Sequence, residues 1–277
     1  MRQTIVDPAV PILPQPGAAD DAVERIEGSP EAGVLFCCDH AANALPKAYG
    51  TLGLTKTQLD RHIAYDIGAA WITRHLAGFF GAPAILSRFS RLLIDPNRGA
   101  DDPTLVMRLS DGNIIPGNAR INEDEIEYRR AHYWQPYRAA IAATIEVMLN
   151  HGSPPAVVSI HTFTPSWKSL PRPWEVGILW DSDPRFAKPL IAALAKDGFC
   201  VGDNEPYDGA LRGDTLDEEV TRLGLAGLLI EIRQDLVGTE VEATAFAGRL
   251  ARVLRPVLAC PELHCRAFFP SRTGRHV

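Results

Sequence analysis

The sequence predicts an α/β fold of three layers, in which a mostly parallel mixed sheet lies between helices on both faces. Short β-branched apolar runs alternate with amphipathic helical stretches along most of the chain, which is the pattern of βαβ units. Three of those runs end in a side chain capable of chemistry. Val34–Cys38 leads into Asp39-His40, Ala156-Val-Val-Ser-Ile leads into His161, and Gly227-Leu-Leu-Ile leads into Glu231. In open α/β sheets ligands bind outside the carboxyl ends of the strands, so His40, His161 and Glu231 form the candidate active site. A length of 277 residues at 46% hydrophobic composition suffices for one full core. A single domain over residues 31–277 is expected, preceded by an N-terminal arm over residues 1–30.

That arm is rich in Pro, Ala and Asp, lacks periodicity and closes with a turn at Gly28-Ser-Pro. The first strand is Val34 to Cys38. From Thr55, a plausible N-cap, to Phe80 the residues Leu59, Ile63, Ile67 and Ala70 recur at helical spacing, which places His62 and Asp66 on neighbouring positions of one helix face. Ala84 to Ser87 is a second strand. A polar loop follows, carrying Arg91, Asp95, Asn97 and Arg98 and running irregularly to about Asn122. Glu123 to Leu149 is helical with a kink expected at Pro136. The central strand at Ala156 leads into a lid-like loop over Thr162 to Pro173. Beyond it lie a strand at Val176–Trp180, a helix at Pro184–Lys196, a strand at Phe199–Val201 and a Gly- and Asp-rich loop from Asp203 to Asp214. A short helix at Thr215–Leu223 precedes the Glu231 strand, and a long helix covers Thr239–Leu258.

The composition narrows the function. A net charge of -6 offers no basic face for nucleic acid or anionic membrane. No apolar run is long enough to span a bilayer, and Met-Arg-Gln-Thr-Ile-Val-Asp-Pro has no signal-peptide character, so a cytoplasmic protein is expected. Five cysteines without a Cys-x-x-Cys pair make neither a disulfide framework nor a structural zinc site. Gly-x-Ser-x-Gly, P-loop and Gly-x-Gly-x-x-Gly fingerprints are absent from the sequence.

Two imidazoles with one carboxylate suit zinc, leaving a fourth position for water, and a further unligated carboxylate is placed to take that water's proton. A histidine at a strand end is also a common structural residue. Glu231, set among Leu228, Leu229, Ile230 and Ile232, needs a partner if buried, and Arg233 two residues on would give a structural ion pair. Asn97-Arg98 could grip a carboxylate bidentately. Cys38 beside His40 raises a cysteine-dependent amide hydrolase as an alternative, although a thiol inside an apolar run is inert.

Cys38-Asp39-His40-Ala41-Ala42-Asn43, Asp66-Ile67-Gly68-Ala69, Ser90-Arg91-Leu92-Leu93-Ile94-Asp95-Pro96-Asn97-Arg98, Ser159-Ile160-His161-Thr162-Phe163-Thr164-Pro165, Gly202-Asp203-Asn204-Glu205-Pro206-Tyr207 and Ile230-Glu231-Ile232-Arg233-Gln234-Asp235-Leu236 together resemble the N-formylglutamate amidohydrolase family. The resemblance implies a phosphorylase/hydrolase-like α/β fold akin to zinc carboxypeptidases, and hydrolysis of an N-formyl or N-acyl acidic amino acid, as in histidine breakdown. The strand endings are also similar to those of zinc-dependent murein amidases. Carried over, this implies Zn2+ held by His40, Asp66 and His161, with Asp39 as the other candidate for third ligand or as an acceptor that orients an imidazole. It implies Glu231 as general base and Asn97, Arg98 and Arg233 on the substrate. The family pattern has a histidine shortly after Thr215-Leu216-Asp217, where this chain has Glu218 and Glu219, and that loosens the tie to the acyl substrate more than to the zinc. The expected partner is a small N-acyl amino acid. A metal-binding member of the same fold without turnover is the alternative from another class.

Overall fold

The structure, a computed structural model, describes residues 22–275. In chain order it contains β1 (Val23–Ile26), β2 (Val34–Cys38), α1 (Lys56–Leu59), α2 (Ala69–Phe80) and β3 (Ala84–Ser87). A small hairpin of β4 (Leu109–Ser110) and β5 (Asn113–Ile114) precedes α3 (Glu123–Arg129) and α4 (Gln135–His151). Next come β6 (Ala156–Phe163), a second hairpin of β7 (Ser166–Trp167) and β8 (Leu170–Pro171), β9 (Val176–Leu179) and α5 (Pro184–Lys196). The last elements are β10 (Val201–Asp203), α6 (Thr215–Glu219), β11 (Gly227–Arg233) and α7 (Glu240–Leu258).

Seven strands make one sheet in the order β1-β3-β2-β6-β11-β9-β10. The central four, β3, β2, β6 and β11, run parallel. β1 joins antiparallel at one edge, and β9 lies antiparallel to β11 with β10 parallel beyond it. The sheet is therefore mixed and mostly parallel, as the alternation of strands and helices predicts.

Strand alternation sorts the core into two layers. Val34, Phe36, Val158, Ile160, Leu228 and Ile230 pack with α2, α5 and α7 on one face. Leu35, Cys37, Val157 and Leu229 pack with α4 and Leu216 of α6 on the other. Because both faces are covered, the central strands read as unbroken apolar runs. The same alternation sends Asp39, Ser159, His161 and Glu231 to the α4 side, at the carboxyl ends of β2, β6 and β11.

The helix expected over Thr55 to Phe80 is broken. Thr55 and Gln58 form a reciprocal capping box on a single turn, α1, and the chain then passes through turns until α2 starts at Ala69. Gly68 forces the break: its φ is 91°, and a Cβ there would lie 2.5 Å from the carbonyl oxygen of Val237. His62 and Asp66 consequently share no helix face, and the Asp66 amide instead donates to the His40 carbonyl at 3.0 Å. The irregularity expected near Pro136 is a π-helical turn at Arg130–Trp134, just ahead of α4. The strand expected at 199–201 lies at 201–203. Residues 23–26, read as part of an arm, form the edge strand β1, while residues 1–21 lie outside the described residues.

Candidate active site

Parallel pairing of β6 and β11 sets Glu231 directly opposite His161, and pairing of β2 with β6 brings the end of β2 alongside. The turn ahead of Gly68 supplies Asp66. Nδ1 of His161 lies 2.9 Å and Nδ1 of His40 3.3 Å from Asp66 Oδ2. One ligand atom from each of His40, Asp66 and His161 falls within 4.8 Å of the others, and all three residues are buried. The opposite ring nitrogens are tied as well: His40 Nε2 donates to Asp95 Oδ1 at 2.7 Å and His161 Nε2 donates to Asp39 Oδ2 at 2.9 Å. A carboxylate behind each imidazole fixes its orientation and aims Nδ1 at the shared centre, the arrangement found around metal-bound histidines. The donor set fits one zinc, and Asp39 takes the orienting place while Asp66 faces the centre.

Burial alone would raise the carboxyl pKa values here, yet Asp39, Asp66 and Asp95 are held well below the usual carboxylate range. His161 and His40 hold Asp39 and Asp66 down, and Arg91 with His40 does so for Asp95. Burial opposes charge on His161, but its bonds to Asp39 and Asp66 outweigh that and push its pKa well up. Asp39 is fully satisfied, accepting also from Ser159 Oγ and Thr215 Oγ1 at 2.5 Å each.

Glu231 behaves differently. It is 6% exposed, and its Oε2 has no hydrogen-bond partner among the described residues. Burial, with Asp66 adding to it, pushes its carboxyl up to about 7 against the pull of His161, His40 and Arg91. The ion pair with Arg233 does not form. Arg233 turns to Asp235, with Nε 2.8 Å from Oδ1, and its Nη1 donates to the carbonyls of Arg172, Pro173 and Trp174. Arg233 is not among the residues that line the cavity; its Nη1 holds the main chain of residues 172–174, just after the hairpin of β7 and β8, instead.

A cavity of about 410 Å³ opens over these groups, lined also by Arg91, Asn97, Arg98, Trp167, Tyr207 and Asp214. Arg91 donates through Nε and Nη2 to Asp95 Oδ2 and stands 3.6 Å from Asp66. Asn97 Oδ1 accepts from the Thr215 amide at 3.1 Å, which fixes the side-chain amide and leaves its Nδ2 hydrogens for a ligand. Arg98 Nη1 donates to the Asn97 carbonyl, and Arg98 forms no ion pair among the described residues. It is a guanidinium with capacity to spare. Cys37 and Cys38 are fully buried, off the cavity lining, and burial pushes both thiols well up, so the cysteine mechanism loses its nucleophile. Sequence reasoning missed Arg91 and Asp95 as members of the site. The spacing Arg91-x-x-x-Asp95 in a loop that also holds Asn97-Arg98 was the available signal.

Asp214 also lines the cavity. It caps α6 by accepting from the Asp217 amide, is 2% exposed, and burial raises its pKa from 3.8 to about 7. The folded protein thus holds a proton that the unfolded chain releases, so stability falls as pH rises from about 4 to about 7 and is flat above. Asp214→Asn keeps the cap without the buried charge. Its thermal midpoint should match wild type below pH 4 and exceed it by a few degrees above pH 7; a constant offset at all pH values would show that Asp214 bears no such penalty.

The sequence profile of the N-formylglutamate amidohydrolase family matches residues 32–237. The crystal structure of gene product Atu2144 from Agrobacterium tumefaciens is similar at 34% identity and a TM-score of 0.82, covering 88% of this chain and 98% of that one. An N-formylglutamate amidohydrolase from Ralstonia eutropha JMP134 shares the fold at 18% identity and a TM-score of 0.68, covering 87% and 99%. No curated protein matches the sequence.

Proposed function

Because the chain belongs to the N-formylglutamate amidohydrolase family, we propose that it is a zinc-dependent amidohydrolase that cleaves the linear amide of an N-acyl amino acid such as N-formylglutamate. The observation that carries this reading is Glu231, a buried carboxylate with a free oxygen beside the His40, Asp66 and His161 cluster. His40, Asp66 and His161 would hold the ion, with Asp95 and Asp39 fixing the two rings. Zinc bound there supplies Lewis acidity toward a carbonyl and toward water. Glu231 takes a proton from the attacking water and returns it to the leaving nitrogen, a task suited to a carboxyl poised near 7. Arg98 and the Nδ2 group of Asn97 hold the substrate carboxylate, and Arg91 keeps the Asp95 and Asp66 side chains in place.

A panel of N-formyl and N-acyl amino acids, assayed with zinc and with a chelator, tests the proposal. Chelation should abolish turnover. Stoichiometric metal with no hydrolysis across the panel would favour a binding member of the fold. Loss of a partner for a desolvated carboxylate costs on the order of 2–5 kcal/mol, so Arg98→Ala should raise KM for a free-carboxylate substrate by at least tenfold. The C-terminal amide of the same substrate should be little affected, and equal loss on both would remove Arg98 from that role.

The chain shows no helix long and apolar enough to cross a membrane among the described residues. A small-molecule substrate is consistent with a cavity of about 410 Å³, and we propose a cytoplasmic location.

A further inference from the structure

The segment Asp95 to Arg98 joins the metal cluster to the substrate-carboxylate group within a single turn of chain. At one end Asp95 Oδ1 accepts from His40 Nε2 at 2.7 Å and from the Asn97 amide at 2.9 Å. At the other end stands Arg98. The distance between the two functions therefore depends on what holds the main chain of this turn.

Two side chains of α4 and its preceding π-helical turn do so. Trp134 Nε1 donates to the Arg98 carbonyl at 3.0 Å. Arg138, four residues on and stacked with its guanidinium carbon 5.1 Å from the Trp134 ring centre, donates from Nε to the Pro96 carbonyl at 3.0 Å. Its other nitrogens cross to the opposite segment, Nη1 to the Asp214 carbonyl at 2.9 Å and Nη2 to the Gly213 carbonyl at 2.7 Å. Arg138 is 4% exposed, and the carboxylate nearest to it, Glu219, is 3.9 Å away. Burying a guanidinium is costly, and here its donors go to main-chain carbonyls of two segments that both line the cavity. The Thr215 amide closes the loop by donating to Asn97 Oδ1. Glu219 Oε1, 3.9 Å from Arg138 Nη1, is the carboxylate that stands against this brace.

We infer that Arg138, backed by Trp134, is a positioning residue that sets where Arg98 stands relative to the His40, Asp66 and His161 cluster. The inference rests on the reading of Arg98 given above. Arg138 lines no part of the metal cluster; it acts through the carbonyls of residues 96, 98, 213 and 214. Its consequence is selective: loosening the turn displaces the carboxylate anchor while leaving the orientation of His40 to Asp95.

Arg138→Lys keeps the charge and removes the fork, and Trp134→Phe keeps the ring and removes one donor. In zinc-loaded protein, KM for a free-carboxylate N-formyl substrate should rise about tenfold or more in Arg138→Lys and about two- to tenfold in Trp134→Phe. Values of kcat, metal content and KM for the amidated substrate should stay close to wild type. Amide hydrogen exchange should quicken in both segments, at residues 97–98 and 213–215, a readout that needs no turnover and that the milder Trp134→Phe provides even if Arg138→Lys folds poorly. Discrimination between the two substrates by Arg98→Ala, with none by either brace variant, overturns the inference alone, as does unchanged exchange. Failure of Arg98→Ala itself to discriminate places the fault in the underlying reading of the carboxylate anchor.

Discussion

Glu231→Gln should lower kcat by about 10²–10⁴-fold, the usual contribution of a positioned general base, while metal content and KM change far less. Glutamine fills nearly the same volume and cannot accept a proton. The wild-type carboxyl is buried with one oxygen unpaired and is pushed up to about 7. Replacing it with a neutral amide removes a desolvated charge rather than a satisfied one, so the fold should survive unharmed. Activity, metal content and circular dichroism are to be measured on one preparation. If Glu231→Gln lost its metal, Glu231 would be a ligand and the place given to Asp66 would be wrong. If kcat were retained, proton transfer would belong to another group.

How much of this was legible in the sequence depended on how local each cause is. Val34–Cys38, Ala84–Ser87 and Pro184–Lys196 lie where the apolar patterns and caps place them, because buried parallel strands and an amphipathic helix write their burial into consecutive residues. Leu59, Ile63 and Ile67 keep helical spacing although the chain is not helical between the end of α1 at Leu59 and the start of α2 at Ala69. Of these only Ile63 is fully buried, and the spacing carries no sign that Gly68 is pressed against Val237, which is 169 positions away in the chain. β1 escaped notice because two of its four residues, Glu24 and Arg25, are charged, as suits an edge strand. Arg233 shares a strand with Glu231, yet at the end of β11 it turns to Asp235, and no pattern within the strand signals that. The carboxylates behind the two imidazoles come from contacts 55 and 122 residues apart in the chain, so their pairing emerges only from the sheet order.

The metal prediction follows from that pairing, and its strength lies in an expected ranking. His161→Ala removes one of three donors facing the shared centre and should leave no stoichiometric zinc. Asp39→Asn keeps every donor and alters only the group behind His161, so zinc affinity should fall by about 10–100-fold, the usual effect of an orienting partner. Both changes disturb buried charge. Asp66 and Asp39 each accept from His161 at 2.9 Å, and depriving a buried carboxylate of its partner can cost about 3–5 kcal/mol. A lost metal must therefore be separated from a lost fold, by circular dichroism and by a second variant, His161→Gln, which retains a hydrogen-bonding side chain of similar reach. Zinc content by elemental analysis and affinity by competition with a chelator decide the ranking. Full metal retention in both His161 variants would sink the proposed site. A larger loss in Asp39→Asn than in His161→Ala would make Asp39 the ligand and Asp66 the bystander, the reverse of what the two Nδ1 atoms facing Asp66 Oδ2 lead one to expect.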